Sequence, residues 1–192
     1  MNRIIYVFLI SCVICFALQV YTEGAQNDLK DNITRLHIIA NSNTQKDQEI
    51  KLKVRDEILK YVKEYGMANR EQKFLEISNK VLCENGFAYK SKVEFGNFMF
   101  PRKEYNELMF PKGEYRGMRV ILGEGNGENW WCVMNPPLCF TENSQGTISD
   151  TGRKELQNNL NDETYDIITD KKKVKFKIVE IVNEIISHTK EN

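Results

Sequence analysis

The chain has 192 residues, of which 41 % are hydrophobic and 28 % charged, fractions typical of a folded protein and too apolar for a disordered one. Lysine and arginine number 27, as do aspartate and glutamate, so the formal net charge is zero. A neutral chain has no broad field that would attract nucleic acid or an anionic membrane surface. The length favours one domain, and a domain of about 150 residues buries enough surface to fold without a stabilising metal or disulfide.

The N-terminus has the pattern of an export signal. Arg3 supplies a positive charge, and the 17 residues from Ile4 to Val20 are apolar apart from Ser11 and Gln19. Residues 1–24 are therefore predicted to be a secretory signal peptide. An apolar run of this length is also at the lower limit for a spanning helix, so an uncleaved N-terminal membrane anchor is the alternative.

The remaining chain is predicted to be a flexible polar spacer at 25–32 followed by one domain at 33–192. Hydrophobic periodicity predicts four strands and three helices. The strands are Ile33–Ala40, Tyr89–Phe95, Arg116–Leu122 and Trp130–Val133, and the helices are Gln45–Tyr65, Arg70–Cys83 and Lys173–His188.

Three segments between these elements have weaker patterns. Gly123, Gly125 and Gly127 separate the last two strands and predict a hairpin. Pro101 to Pro111 is predicted to be a loop with a short helical turn, and residues 141–170 a long loop or insert. The order of elements predicts an α+β fold: a single domain with an antiparallel or mixed sheet and helices packed on one face, preceded by the export helix.

The sequence contains no recognisable catalytic or metal-binding pattern. Its two histidines, His37 and His188, and the cysteines beyond the export segment lack the spacing of metal ligands, so neither a metal nor a cofactor is expected. The strongest enzymatic hypothesis is a hydrolase in which Cys132 or Cys139 is the nucleophile and His37 the base. Nothing near these cysteines resembles a protease signature, so no catalytic residue is expected.

The segment from Trp130 to Phe140 is the most unusual of the chain, because it contains both tryptophans and two cysteines around a diproline. In an oxidising compartment, Cys132 and Cys139 could close a loop of eight residues. In the alternative, the cysteines stay reduced and the aromatic residues belong to the core. A disulfide between Cys132 and Cys139 is the prediction.

Two strings of residues resemble the stage II sporulation protein R family. The first is Arg35-Leu-His-Ile-Ile-Ala-Asn-Ser-Asn43 with Asp47-Gln48 and Lys51-Leu-Lys-Val-Arg-Asp56. The second is Tyr115-Arg-Gly-Met-Arg119 with Gly123-Glu-Gly-x-Gly127, Asn129-Trp-Trp-Cys132 and Pro136-Pro-Leu-Cys-Phe140. The resemblance covers roughly residues 33 to 140.

The resemblance implies a sporulation signalling protein rather than an enzyme. Such a protein is exported into the space between the forespore and mother-cell membranes. There it activates a membrane-embedded aspartic protease that processes pro-sigma-E, and it contacts the membrane only through its N-terminal segment. A structural protein of the envelope or spore coat is a third possibility, with little support from a neutral chain without repeats.

The partner-binding residues are expected in both strings. The hypothesis is that the strand end, the following helix and the 130–140 loop form one face that contacts the protease. The candidates are Arg35, His37, Asn41, Asn43, Trp130, Trp131, Pro136 and Pro137. For the four polar residues, hydrogen bonding and capping at the strand end are the alternative.

Overall fold

The computed structural model describes residues 2–67, 70–105, 107–138 and 150–169. The helices are α1 (Asn2–Asn32), α2 (Gln45–Tyr65), α3 (Arg70–Glu84), α4 (Asp150–Asn159) and α5 (Asp162–Thr169). The strands are β1 (Thr34–Ile39), β2 (Ser91–Phe100), β3 (Lys103–Tyr105), β4 (Leu108–Phe110), β5 (Gly113–Leu122) and β6 (Asn129–Asn135). The predicted helix Lys173–His188 lies outside the described residues.

Four strands form the main sheet in the order β2-β5-β1-β6. β1 is parallel to β5 and antiparallel to β6, and β2 is antiparallel to β5, so the sheet is mixed. The predicted α+β class is confirmed. Strands β3 and β4 form a separate antiparallel pair.

The predicted hairpin between β5 and β6 is wrong, because β1 lies between these two strands and pairs with both. The glycine-rich connection therefore passes over the end of β1. A local turn signal cannot reveal this arrangement, since β1 is about 80 residues away in the chain.

Helices α2 and α3 cover one side of the sheet, called here the first face. Side chains alternate along a strand, so Leu36 and Ile38 of β1 and Met118 and Val120 of β5 point to this face and are fully buried. Helix α2 meets them with a stripe of apolar residues at helical spacing. Its buried apolar residues are Ile50, Val54, Ile58 and Val62.

The opposite side, the second face, carries a separate hydrophobic cluster that the sequence did not indicate. It joins the end of α1, the β3–β4 pair, α4 and α5 to the sheet. Its fully buried members include Leu29, Ile33, Phe100, Phe110, Tyr115, Leu156 and Ile168. Helices were predicted on one face of the sheet, but in the structure they pack on both faces.

The structure differs from the flexible spacer predicted at 25–32, because these residues continue α1 and belong to the fold. Leu29 is fully buried in the second cluster. Gln26 Nε2 donates a hydrogen bond of 2.8 Å to the carbonyl of Glu114, and Lys30 forms an ion pair with the Glu114 carboxylate. The polar side chains that suggested a spacer are the exposed side of an amphipathic helix end.

Two other loop predictions also differ from the structure. Within Pro101–Pro111 the chain forms β3 and β4 rather than a loop with a helical turn. Residues 150–169, predicted to be part of a long loop, form the short helices α4 and α5. Both segments are held by packing in the second cluster, whose other members are distant in sequence, so local patterns do not reveal these elements.

Candidate partner-binding face

A row of four side chains crosses the second face, one from each strand. Glu94 of β2 pairs in register with Arg119 of β5, Arg119 with His37 of β1, and His37 with Trp131 of β6. Residues in register on neighbouring strands project to the same side of the sheet. The row therefore brings a carboxylate, a guanidinium, an imidazole and an indole together on one surface.

His37 is nearly buried in this row. Its ring stacks on the indole of Trp131 with centroids 3.5 Å apart, and its Nε2 lies 2.7 Å from Oδ1 of Asn129. Burial lowers the pKa of His37 to about 4, and the charges of Arg119 and Arg35 act in the same direction. The imidazole is therefore neutral at neutral pH and holds β1 against β6.

Arg35 is fully buried, which argues against the predicted direct contact with a partner. Its guanidinium carbon lies 4.5 Å from the ring centroid of Phe100 and 4.9 Å from that of Tyr115. Its Nη1 donates to the carbonyl oxygen of Pro101 at 3.4 Å. Burial lowers the pKa of Arg35, and the aromatic faces compensate in part for the lost hydration of the cation.

Gly117 makes room for this aromatic packing. It lies in register with Arg35, and a Cβ at Gly117 would come within 2.8 Å of two ring carbons of Phe100 and 3.3 Å of Phe98. Real Cβ atoms do not approach other heavy atoms so closely. Gly117, in the Tyr115-Arg-Gly-Met-Arg119 string, is therefore needed because a larger residue would collide with Phe100 on the second face.

Arg119 is partly exposed and lies beside the aromatic rings that enclose Arg35. Its guanidinium carbon lies 4.1 Å from the ring centroid of Phe98, and its Nη1 is 3.6 Å from Oε2 of Glu94. The Arg119 side chain is 31 % exposed, so it can reach a bound partner. We define the second-face patch as the half-buried side chains Ile39, Arg119, Ile121 and Trp131, which surround His37.

The end of β1 next to this patch is fixed by Asn41 and Asp47. Asn41 Nδ2 donates to Oδ2 of Asp47 at 2.8 Å, and Asn41 Oδ1 accepts from the backbone N–H of Glu124 at 3.0 Å. Asn41 thus links the start of α2 to the glycine-rich loop. A Cβ at Gly123, whose φ is +56°, would lie 2.2 Å from Asn41 Oδ1, so only glycine fits there.

Asp47 is buried at the start of α2 and accepts three side-chain hydrogen bonds, from Asn41, Ser42 and Tyr89. Burial opposes its ionisation, but the hydrogen bonds of these groups and of Thr44 prevail and lower the pKa of Asp47. The carboxylate also lies in the first turn, where the helix dipole favours negative charge. The Asp47 carboxylate therefore has a structural role, since it joins the start of α2 to Asn41, Ser42 and Tyr89.

The glycine-rich loop between β5 and β6 is held over the end of β1 by backbone hydrogen bonds. The N–H of Asn126 donates to the carbonyl of Asn41 at 3.0 Å, and that of Gly127 to the carbonyl of Ala40 at 2.9 Å. Lys51 Nζ donates to the carbonyl of Glu128 at 3.0 Å. The two strings singled out in the sequence are therefore in contact and form one rigid end of the sheet.

The structure distributes the predicted partner-binding residues over several surfaces. Trp131 lies on the second face, whereas Trp130 packs against the hydrophobic cluster of the first face. The guanidinium carbon of Arg55 lies 5.4 Å from the ring centroid of Trp130. Asn43 is exposed, while Pro136 is buried and Pro137 half-buried at the opposite end of β6. The residues therefore do not form the single face predicted from the sequence. Successive side chains of β6 point to opposite faces, and the prolines lie at the end of β6 that is distant from Asn41.

The predicted hydrolase pair of Cys132 and His37 is wrong. Cys132 is in register with Leu36 and points to the first face, whereas His37 points to the second. Cys132 is also disulfide-bonded and cannot act as a thiolate nucleophile. Cys139 lies outside the described residues, so its pairing with Cys132 stays a prediction.

The described residues contain no group of three or more His, Cys, Asp or Glu side chains that could hold a metal ion. Sequence reasoning missed Glu94, Phe98, Phe100 and Arg119. Arg119 lies in a string already singled out and could have been found from its place on the strand. The other three come from β2, and only the strand order brings them to the patch.

Residues 30–145 match the family model described as Stage II sporulation protein R. The chain belongs to this family. It is 29 % identical to "Stage II sporulation protein R" of Bacillus subtilis (strain 168), over 95 % of this chain and 96 % of that protein. No solved structure matches the chain.

Family membership supports a role in sporulation. The matched residues take in β1 to β6 with α2 and α3, and thus the whole sheet and the second-face patch. The apolar helix that precedes them is long enough to cross a membrane and fits a signal peptide or an N-terminal anchor. The relative is named as a sporulation protein and not as an enzyme.

Proposed function

We propose that this protein is an exported signalling protein that activates a membrane-embedded aspartic protease during sporulation. The protease would then process pro-sigma-E in the mother cell. Membership of the stage II sporulation protein R family supports this function. The signal would act in the space between the forespore and mother-cell membranes, to which an N-terminal export helix could deliver it.

The observation that carries the proposal is the contact between the two sequence strings at one end of the sheet. Asn41 of the first string accepts from Glu124 of the loop in the second, and the second-face patch borders that junction. A protein that only binds needs a rigid scaffold and a shaped surface with a few anchoring side chains. Arg119 and Trp131 are of the residue types that dominate binding energy at interfaces.

The position of the domain also agrees with a membrane-embedded partner. Helix α1 continues without interruption from its apolar run into the second cluster, where Leu29 is buried. A domain attached in this way stays close to the bilayer. The extracytoplasmic part of a membrane protein would then lie within its reach, and the loss of freedom on binding would be smaller.

Co-expression tests this function directly. The protein, the candidate protease and its pro-sigma-E substrate are produced together, and cleavage of the substrate is measured with and without this protein. We expect cleavage only when all three are present. A protease with its catalytic aspartate replaced is the control, and it should leave the substrate intact. Equal cleavage in the presence and absence of this protein would contradict the proposal.

A further inference from the structure

Strand β2 forms one edge of the main sheet, because β5 is its only partner among the described strands. The N–H of Gly123 donates to the carbonyl of Lys90 at 3.0 Å, and this pair continues the register of β2 and β5. In an antiparallel pair such bonds recur at every second residue, so the even-numbered residues of β2 bond to β5. The N–H and C=O groups of the odd-numbered residues therefore point away from the sheet.

Helix α3 covers only the beginning of this edge. The outward N–H of Ser91 donates to Oδ1 of Asn79 at 2.8 Å. The start of α3 lies level with Phe95, because the guanidinium carbon of Arg70 is 4.1 Å from the Phe95 ring centroid. Among the described residues, no hydrogen bond occupies the outward backbone groups from Phe95 to Met99. This part of β2 is called here the open edge.

The opposite edge of the sheet, β6, is already occupied by the chain itself. The carbonyl of Trp131 accepts from the hydroxyl of Tyr105 at 3.2 Å, and the carbonyl of Val133 accepts from the N–H of Leu138 at 3.3 Å. Strand β2 lacks such protection, since its ten residues contain no proline and its register with β5 is unbroken. A long edge of this kind can pair with a strand of another chain.

A cavity of about 360 Å³ lies on the first face beside the open edge. Its lining residues are Met67, Arg70, Glu71, Gln72 and Phe95. Arg70 is half-buried against Phe95, and none of the ion pairs between described residues includes it. Glu71 is exposed, so water screens its opposing charge. The cavity therefore presents a partly desolvated cation, which favours a carboxylate from a bound chain.

We propose that an extended segment of the protease adds a fifth strand to the main sheet along β2 and places an acidic side chain in this cavity. The inference rests on the proposed function, since it names the surface that the protease contacts. Residues in register on neighbouring strands project to the same side, so the partner residue opposite Phe95 faces the cavity.

The added strand would also reach the second-face patch. The residues on either side of the one in the cavity project to the second face, beside Glu94. Glu94 is in register with Arg119, whose side chain belongs to the patch. A strand along β2 would thus extend the row of side chains that crosses the second face.

Site-specific photo-crosslinking in the co-expression system tests this contact. Benzoylphenylalanine replaces Met99, which is 60 % exposed on the open edge. We expect this protein to crosslink to the protease. The same group at Leu52, an exposed position of α2, is the control and should form no such product.

Two pairs of variants test the backbone contact and the cavity separately. Asn97→Pro removes an outward N–H and keeps the bonds to β5, so it should reduce the crosslink from position 99 about tenfold or more. Asn97→Ala retains the N–H and should reduce the crosslink far less. Arg70→Glu leaves the backbone unchanged and should also reduce the crosslink, whereas Lys80→Glu, at the other end of α3, should not.

The crosslink is measured independently of cleavage, so the two proposals can fail separately. If cleavage of pro-sigma-E requires this protein but position 99 does not crosslink to the protease, the open edge is not the contact and the proposed function stands. A crosslink to the protease without any effect on cleavage would support the contact and contradict activation. A crosslink between two copies of this protein would overturn the inference. Equal crosslinking by Arg70→Glu and Lys80→Glu would exclude an acidic side chain in the cavity.

Discussion

The imidazole of His37 stacks on the indole of Trp131, with ring centroids 3.5 Å apart and planes inclined by 16°. The two residues are in register on β1 and β6, so the stack is a cross-strand pair on the second face. Because His37 is nearly buried and hydrogen-bonded to Asn129, its protonation would place a charge between neighbouring strands. The stability of the sheet is thereby linked to pH.

The first prediction concerns that link. The pKa of His37 lies at about 4 in the fold and at 6.5 in a model peptide, so protons bind preferentially to the unfolded chain. The stabilisation is complete above about pH 6.5 and is lost as the pH falls towards 4, by about 3 kcal/mol at most. Urea unfolding of the full chain in detergent, from about pH 7 to pH 5, should show this decline.

His37→Gln should remove the His37 part of the decline, leaving a shallower dependence on pH. His188→Gln is the comparison, since it removes the other histidine of the chain and so separates its part of the decline from that of His37. If His37→Gln and the native protein lose stability equally over this range, the imidazole is not held neutral by burial.

The second prediction separates the two asparagines that were candidates for partner contact. Asn41→Ala removes the hydrogen bonds to Asp47 and from Glu124, so it should lower the free energy of unfolding by about 2 kcal/mol. Asn43 is exposed, and Asn43→Ala should change stability by no more than about 0.5 kcal/mol. Urea unfolding of both variants measures the difference, and equal losses would contradict a structural role for Asn41.

The third prediction concerns the space above Gly117. Gly117→Ala places a Cβ 2.8 Å from Phe100, so the ring must shift and the free energy of unfolding should fall by about 1–3 kcal/mol. Gly96→Ala is a matched control, because Gly96 is in register with Gly117 and its nearest side-chain atom would be 3.7 Å away. Thermal unfolding of the two variants should differ, and a Gly117→Ala protein as stable as Gly96→Ala would refute the packing account.

Local patterns were sufficient to predict α2, whose bounds Gln45–Tyr65 agree with the sequence prediction. Its apolar stripe, Thr44 cap and Gly66 end are all encoded within the helix and its immediate neighbours. The four strands of the main sheet were also predicted, with bounds shifted by up to five residues, whereas β3 and β4 were not. A helix or strand with a regular apolar pattern can be predicted from sequence, because the residues that form the pattern are the residues of the element itself.

The surroundings of Arg35 could not be predicted in this way. An arginine between apolar strand residues gives no indication of being buried, and the rings that enclose it come from β2 and β5. The insertion of β1 between β5 and β6 likewise depends on pairing between strands that are distant in sequence. The strings of the candidate site were recognised as unusual, but the face on which each side chain lies depended on the register of three strands.

The last prediction tests the second-face patch as the surface that contacts the protease. Arg119→Ala removes a partly exposed cation and should reduce cleavage of pro-sigma-E in the co-expression assay by about tenfold or more. The fold should survive, because a cation–π contact of this exposure contributes only about 0.5–1 kcal/mol.

Arg55→Ala is the matched control for this change. Arg55 is also a surface arginine placed over an aromatic ring, but its partner is Trp130 on the first face. Its side chain is 22 % exposed, against 31 % for Arg119, so both variants should lose similar amounts of stability. Loss of cleavage with Arg119→Ala alone would place the protease on the second face, because the two variants then differ only in the side of the sheet. Equal cleavage by both would exclude Arg119 from the contact.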